Sequence, residues 1–195
     1  REDGKTAGEY APIFFKQAKY TLLDQNTFWL CEKPDSVGMV GWDAALTRIA
    51  TWVKLQDKKT GQILMVVNTH FDHIGTEARR NSALLIIEKI KEIVGTSPAI
   101  LTGDFNVSED WDAYKTITNN EFILKDAHKV AGKRTGVDFT YHNFGKIPAE
   151  KCEKIDFIFV TPQIRVISSY IPFSQLNDTL FLSDHNPEIV ELEIK

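Results

Sequence analysis

Four short strings in the sequence hold the residue types that could act on a substrate. Asn68, Thr69 and His70 close one apolar run, and Gly103, Asp104, Phe105 and Asn106 close another. Asp156 lies inside the apolar string "KIDFIF", and Asp184 and His185 stand just before the last apolar run. Carboxylates, imidazoles and a carboxamide can orient water, accept its proton and hold a hard divalent cation. Each string also has a plainer reading. GDFN alone is a good Asx-turn, and SDH is a reasonable turn before a strand. Asp156, flanked by Ile155, Phe157, Ile158 and Phe159, would be costly to bury unless a cation or a hydrogen bond meets it. A satisfied core salt bridge is its structural alternative.

The elements that must carry these residues are set by periodicity. Runs rich in β-branched and aromatic residues recur as "APIFFK", "YTLLD", "LTRIATWVKL", "ILMVVNTH", "AILTGDFN", "KIDFIFV", "IRVISSYI" and "PEIVELEIK", which predicts strands. The polar turn "QDKKTGQ", with Gly61, predicts an antiparallel hairpin of 47–55 with 63–69. Ala83, Ile87, Ile90 and Val94 share one helical face, and Gly95 comes next, so a helix is expected over 77–94 with a glycine cap. A shorter helix is expected from about Ser108, including Trp111 and Tyr114. Many strands, few helices and polar loops at strand ends imply an α/β protein with largely antiparallel sheets.

The bulk composition fits one globular domain over 1–195, with 43% hydrophobic and 26% charged residues. A net charge of −4 with both signs well mixed argues against a broad basic face for duplex DNA. It leaves room for a phosphorylated small molecule held by one or two arginines and a metal. Cys31 and Cys152 sit in no paired motif and read as free thiols. No apolar run reaches the length of a membrane span. The compartment, whether bacterial cytoplasm or exported, is not legible.

In this order, His70, GDFN, IDFIF and SDH resemble the motif series of the endonuclease/exonuclease/phosphatase superfamily, and specifically its bacterial metal-dependent hydrolases. Between the motifs, "GWDAALTRIATWVKL" is similar to the family strand that carries an arginine, here Arg48, and "TYHNFG" is similar to a family loop, here with Tyr141 and His142. The resemblance implies a DNase I-like four-layered α/β sandwich with two mostly antiparallel sheets. It also implies phosphoester hydrolysis by water, with Mg²⁺ or Mn²⁺. Carried over onto these positions, Asp104 orients or deprotonates the attacking water, and Asn106 positions it with the phosphate. His185 hydrogen-bonds the phosphate while Asp156 fixes its tautomer. Asp184 lies near the metal, His70 contacts the phosphate and assists the leaving group, and Arg48, Tyr141 and His142 face the substrate.

The family's two N-terminal motifs, which supply a metal-site Asn and a metal-binding Glu, do not occur upstream of Tyr10. The domain is therefore expected to be N-terminally incomplete, with weakened metal affinity and turnover. Two other readings compete. Residues 66–75, "VVNTHFDHIG", are similar to the HxHxDH string of metallo-β-lactamase-type zinc hydrolases, but Asn68 stands where the first histidine would be. A non-catalytic binding protein on the same fold is the second. Within the hydrolase reading, a phosphorylated small molecule, a phospholipid headgroup and single-stranded nucleic acid all remain open, with duplex DNA disfavoured.

Overall fold

The computed structural model describes residues 1–95, 97–119, 122, 124–177 and 180–194. Its largest element is a six-stranded sheet built from β1 (Tyr20–Trp29), β2 (Ile49–Asp57), β3 (Ile63–His70), β4 (Ala99–Asp104), β5 (Lys125–Asp126) and β7 (Asp156–Val160). The order across it is β1-β2-β3-β4-β7-β5. All neighbours in it run antiparallel except β3 and β4, which are parallel and joined by helix α1 (Thr76–Val94). A second sheet contains β6 (Lys133–Gly136), β8 (Ile164–Ile171) and β11 (Ile189–Ile194), in the order β11-β8-β6. A small hairpin pairs β9 (Gln175–Asn177) with β10 (Leu180–Phe181).

Alternation along the central strands divides the core into two faces. Met65 and Val67 of β3, Ala99 and Leu101 of β4, and Phe157 and Phe159 of β7 are all fully buried beneath α1 and α2 (Asp112–Thr118). The intervening Leu64, Val66, Ile100, Ile158 and Val160 pack on the opposite face with Ile164, Val166, Val190 and Leu192 of the second sheet. Strands apolar on both faces are the pattern expected of a sheet covered on both sides. On α1, Ala83, Ile87, Ile90 and Val94 are buried as their spacing requires, and Gly95 ends the helix at φ 57°. The start of α1 has no local side-chain cap. Its free N–H groups are met instead by the Asp43 carboxylate, which accepts from Glu77 N at 3.2 Å and Ala78 N at 2.6 Å.

Two expectations need correcting. Residues 11–16 form no strand: Pro12 lacks the N–H a ladder needs, and Phe14 is 91% exposed with no apolar surface to pack against. The short helix begins at Asp112, not Ser108, and Trp111 is its N-cap residue. A one-turn helix, α3 (Ala127–Val130), was not foreseen; the Asp126 carboxylate caps it by accepting from His128 N at 2.9 Å. The last run reads as β11, and Lys195 at its end lies outside the described residues. Cys31 and Cys152 are free. No helix among the described residues is long and apolar enough to cross a membrane.

Candidate active site

Sheet register brings three of the candidate residues into one row. His70 of β3 pairs across to Asp104 of β4, and Asp104 pairs across to Asp156 of β7. Each is followed by a phenylalanine on the other face: Phe71, Phe105 and Phe157 are at most 1% exposed. Their rings meet edge to face, Phe71 on Phe105 at 4.9 Å and Phe105 on Phe157 at 6.0 Å between centroids. Burying each ring stabilises the sheet by roughly 2–3 kcal/mol. Because successive side chains alternate, anchoring the three rings in the core turns the three polar side chains to the other face. There they border a groove of about 420 Å³, together with Tyr10, Asn68, Thr102 and Glu188.

The turn after β4 locks the second string in place. Asn106 N donates to Asp104 Oδ1 at 2.9 Å, and Asn106 Nδ2 donates to the Phe71 carbonyl at 3.0 Å. Asn106 sits at φ 49°, a left-handed conformation that asparagine tolerates better than most residues. Among the described residues no hydrogen bond engages its Oδ1, which leaves it free as an acceptor. Gly103, in register with Thr69, leaves no room for a side chain: a Cβ there would collide with the Thr69 carbonyl oxygen.

His185 reaches the row from outside the large sheet. Its Nδ1 lies 2.7 Å from Asp156 Oδ2, and its ring stands 4.9 Å from that of Tyr141, to which it is also joined by an isolated bridge. Burial lowers the His185 pKa, but the hydrogen bond and charge of Asp156, with Asp104 and Asp184, outweigh it and the net shift is upward. Asp104 also shifts upward. Burial first, then the neighbouring Asp156, raises its pKa to about 6. His70 Nε2 is 3.3 Å from Asp104 Oδ2. Burial, then the Arg48 charge, pulls the His70 pKa down to about 4, so it is neutral near pH 7 and offers a hydrogen bond, not a charge.

The remaining candidates take different places. Arg48 is 4% exposed, 3.6 Å from both Asp72 Oδ2 and Glu9 Oε2, and donates from Nη2 to His73 Nδ1 at 3.1 Å. His142 is 1% exposed, accepts from Gly145 N at Nδ1, and lies among the rings of Phe139, Phe173 and Phe181. Asp184 accepts from Ser183 Oγ at 3.3 Å, and its carbonyl accepts from His142 N and Asn143 N. The one group of three or more potential ligands among the described residues is Asp104, Asp156 and His185, whose ligand atoms lie within 4.8 Å of one another. Asp72 is buried and held by N–H donors from Leu46, Ile74 and Gly75. Residues 66–75 therefore assemble no histidine-rich zinc cluster. Glu9 was not singled out in the sequence, yet its carboxylate pairs with Arg1 and Arg48 and lies 3.5 Å from His70 Nδ1. Sixty-one positions separate it from His70, and no local pattern marks such a contact.

Two sheets stacked face to face, with helices on the larger one and polar groups gathered at its strand ends, define a DNase I-like α/β fold. The chain belongs to the Endonuclease/Exonuclease/phosphatase family, which it matches over residues 12–185. It is similar to the endonuclease/exonuclease/phosphatase of Bacteroides vulgatus, with 65% identity and a TM-score of 0.97 over 100% of this chain and 74% of that one. It is also similar to a mannosyl-6-phosphatase of Bacteroides thetaiotaomicron, with 36% identity and a TM-score of 0.91 over 99% and 74% of the two chains. Protein L388 of Acanthamoeba polyphaga mimivirus is 30% identical over 85% of this chain, which spans 63% of that relative's length.

Proposed function

We propose that this chain carries the hydrolytic centre of a phosphoester hydrolase that uses water as nucleophile and acts on a phosphorylated small molecule, with a sugar phosphate as the leading candidate. The observation that carries the reading is the row of His70, Asp104 and Asp156, capped by the 2.7 Å contact of Asp156 with His185, at the border of one groove. The 36% identity to a mannosyl-6-phosphatase supports the sugar phosphate.

Asp104, with a pKa near 6, is a base matched to neutral pH: mostly ionised, yet basic enough to take a proton from water. Asn106 Oδ1 orients that water. His185, biased toward its charged form and fixed through Nδ1 by Asp156, presents Nε2 to a phosphoryl oxygen. His70, flanked by Glu9 and Asp104, donates to the ester from one side, and Tyr141 borders it on the other. Arg48 acts from behind, holding Glu9 and the 71–75 loop.

The donor set fits a hard divalent ion. Asp104 and Asp156 supply carboxylate oxygens beside His185, and Asn106 and Asp184 are further oxygen donors nearby in sequence, which suits Mg²⁺ or Mn²⁺. Such an ion would neutralise phosphoryl charge and ease ionisation of water. The test is a hydrolysis screen with Mg²⁺ or Mn²⁺ over hexose phosphates, phospholipid headgroup esters and single-stranded oligonucleotides, with Asp104→Ala as control. Turnover of a hexose phosphate that falls at least about a thousandfold in the variant is expected. Turnover that survives Asp104→Ala, or none on any class, overturns the reading.

A further inference from the structure

Lys154 and Glu188 form an ion pair at 2.9 Å with side chains only 7% and 3% exposed. Lys154 Nζ also donates to the Asp156 carbonyl at 2.9 Å and stands 3.9 Å from the centroid of the Phe157 ring. Glu188 Oε1 accepts from Ser169 Oγ at 3.3 Å, and that hydroxyl meets His128 Nδ1 at 2.8 Å. A buried ion pair is a weak source of stability, because desolvating both charges offsets most of their attraction, and an apolar pair of similar volume often does as well. Its place in the fold is more telling.

Lys154 precedes Asp156 by two residues, and Glu188 comes three after His185. No strand ladder joins these two segments. Asp156 belongs to β7 of the large sheet, whereas the chain after His185 enters β11, which pairs with β8. Among the described residues they meet directly through two side-chain pairs, Asp156 with His185 and Lys154 with Glu188. The first pair makes the chemistry. The second, drier and more deeply buried, is anchored on the same two chain segments.

We infer that Lys154 and Glu188 are positioning residues whose ion pair sets the Asp156–His185 distance, and this inference rests on the hydrolase reading for its kinetic consequence. Lys154 grips the Asp156 main chain and Glu188 at once, so the two catalytic side chains are held by a strut whose side chains are almost wholly buried at the wall of the groove. Displacement by a fraction of an ångström would leave substrate binding almost intact and slow the reaction.

The experiment compares the wild type with Lys154→Met/Glu188→Leu, Glu188→Gln and Lys154→Arg, by melting, by kcat and KM, and by the downfield imidazole N–H proton of His185, assigned with an Asp156→Asn control. The double variant is expected to melt within about 5 °C of the wild type. Its kcat should fall about tenfold or more while KM stays within about threefold. Its downfield proton should move toward the Asp156→Asn spectrum, with Glu188→Gln between and Lys154→Arg close to wild type. A folded double variant with wild-type kcat or an unmoved proton overturns the inference. So does loss of folding in both the double variant and Glu188→Gln, which would make the pair a structural element only. A wild type that shows the downfield proton but no turnover removes the hydrolase reading, and the spectra still decide the strut.

Discussion

Asp104 shows how one carboxylate can be useful and costly together. Its pKa, pushed from 3.8 to about 6 by burial and then by Asp156, lies above the unfolded value. The protonated form is therefore favoured by folding, and the associated stability is fully present below about pH 4 and lost as pH rises through 6. Asp104→Asn should remove that loss. In the metal-free protein at pH 7.5 it is expected to raise stability by on the order of 1–3 kcal/mol, with no gain at pH 4, as urea melts at the two pH values would show. In the same metal-free protein the Asp104 carboxyl should titrate near pH 6, readable by NMR, and a bound divalent cation should lower that value. At this scale His70, Asp104, Asn106 and His185 stood out in the sequence as polar residues at the edges of apolar runs, and Asp156 as a carboxylate inside one. Glu9 and Lys154 did not, since what distinguishes them is a contact made through the fold. Arg48 stood out, but nothing in its string told that it would be almost wholly buried.

At the scale of elements, the strand ends decide the site, and Gly103 is its tightest joint. Any side chain there meets the Thr69 carbonyl inside the parallel β3–β4 pairing, and the backbone cannot yield without breaking the ladder that aligns His70 with Asp104. Gly103→Ala should cost about 2–3 kcal/mol in denaturant unfolding and lower kcat, whereas Gly61→Ala, whose Cβ would meet nothing within 4 Å but whose φ of 75° strains a side chain, should cost stability and leave kcat unchanged. The long helix and most strands were legible because both their period and their boundary residues agree. Residues 11–16 misled for a physical reason: an apolar run becomes a strand only where a partner edge and a surface await it, and propensity carries neither. The start of α2 falls later than its string suggests because Ser108 begins a turn instead, its carbonyl accepting from Trp111 N and its hydroxyl donating to Asp110. The start of α1 falls within one residue of its expected place, and only its cap was hidden, since that comes from Asp43, thirty-four positions before Glu77.

At the scale of the whole molecule, charge balance and layer order govern what can approach. With 23 basic against 27 acidic residues, plain duplex DNA should be retained at 0.15 M salt only above about 100 µM protein, as mobility-shift titration would show; retention at low micromolar protein would contradict the small-molecule assignment. The α/β class was legible from the mix of runs, but the strand order β1-β2-β3-β4-β7-β5 was not, because pairing between distant strands leaves no local signature. The alternation of Phe71, Phe105 and Phe157 with His70, Asp104 and Asp156 has a consequence for how the molecule comes to be. A one-residue slip of β3, β4 or β7 would send a phenyl ring into the groove and an ionisable side chain into the helical core, forfeiting several kcal/mol at each strand. Chains that settle are therefore chains whose reactive groups already face one another, so that folding doubles as proofreading of the catalytic geometry.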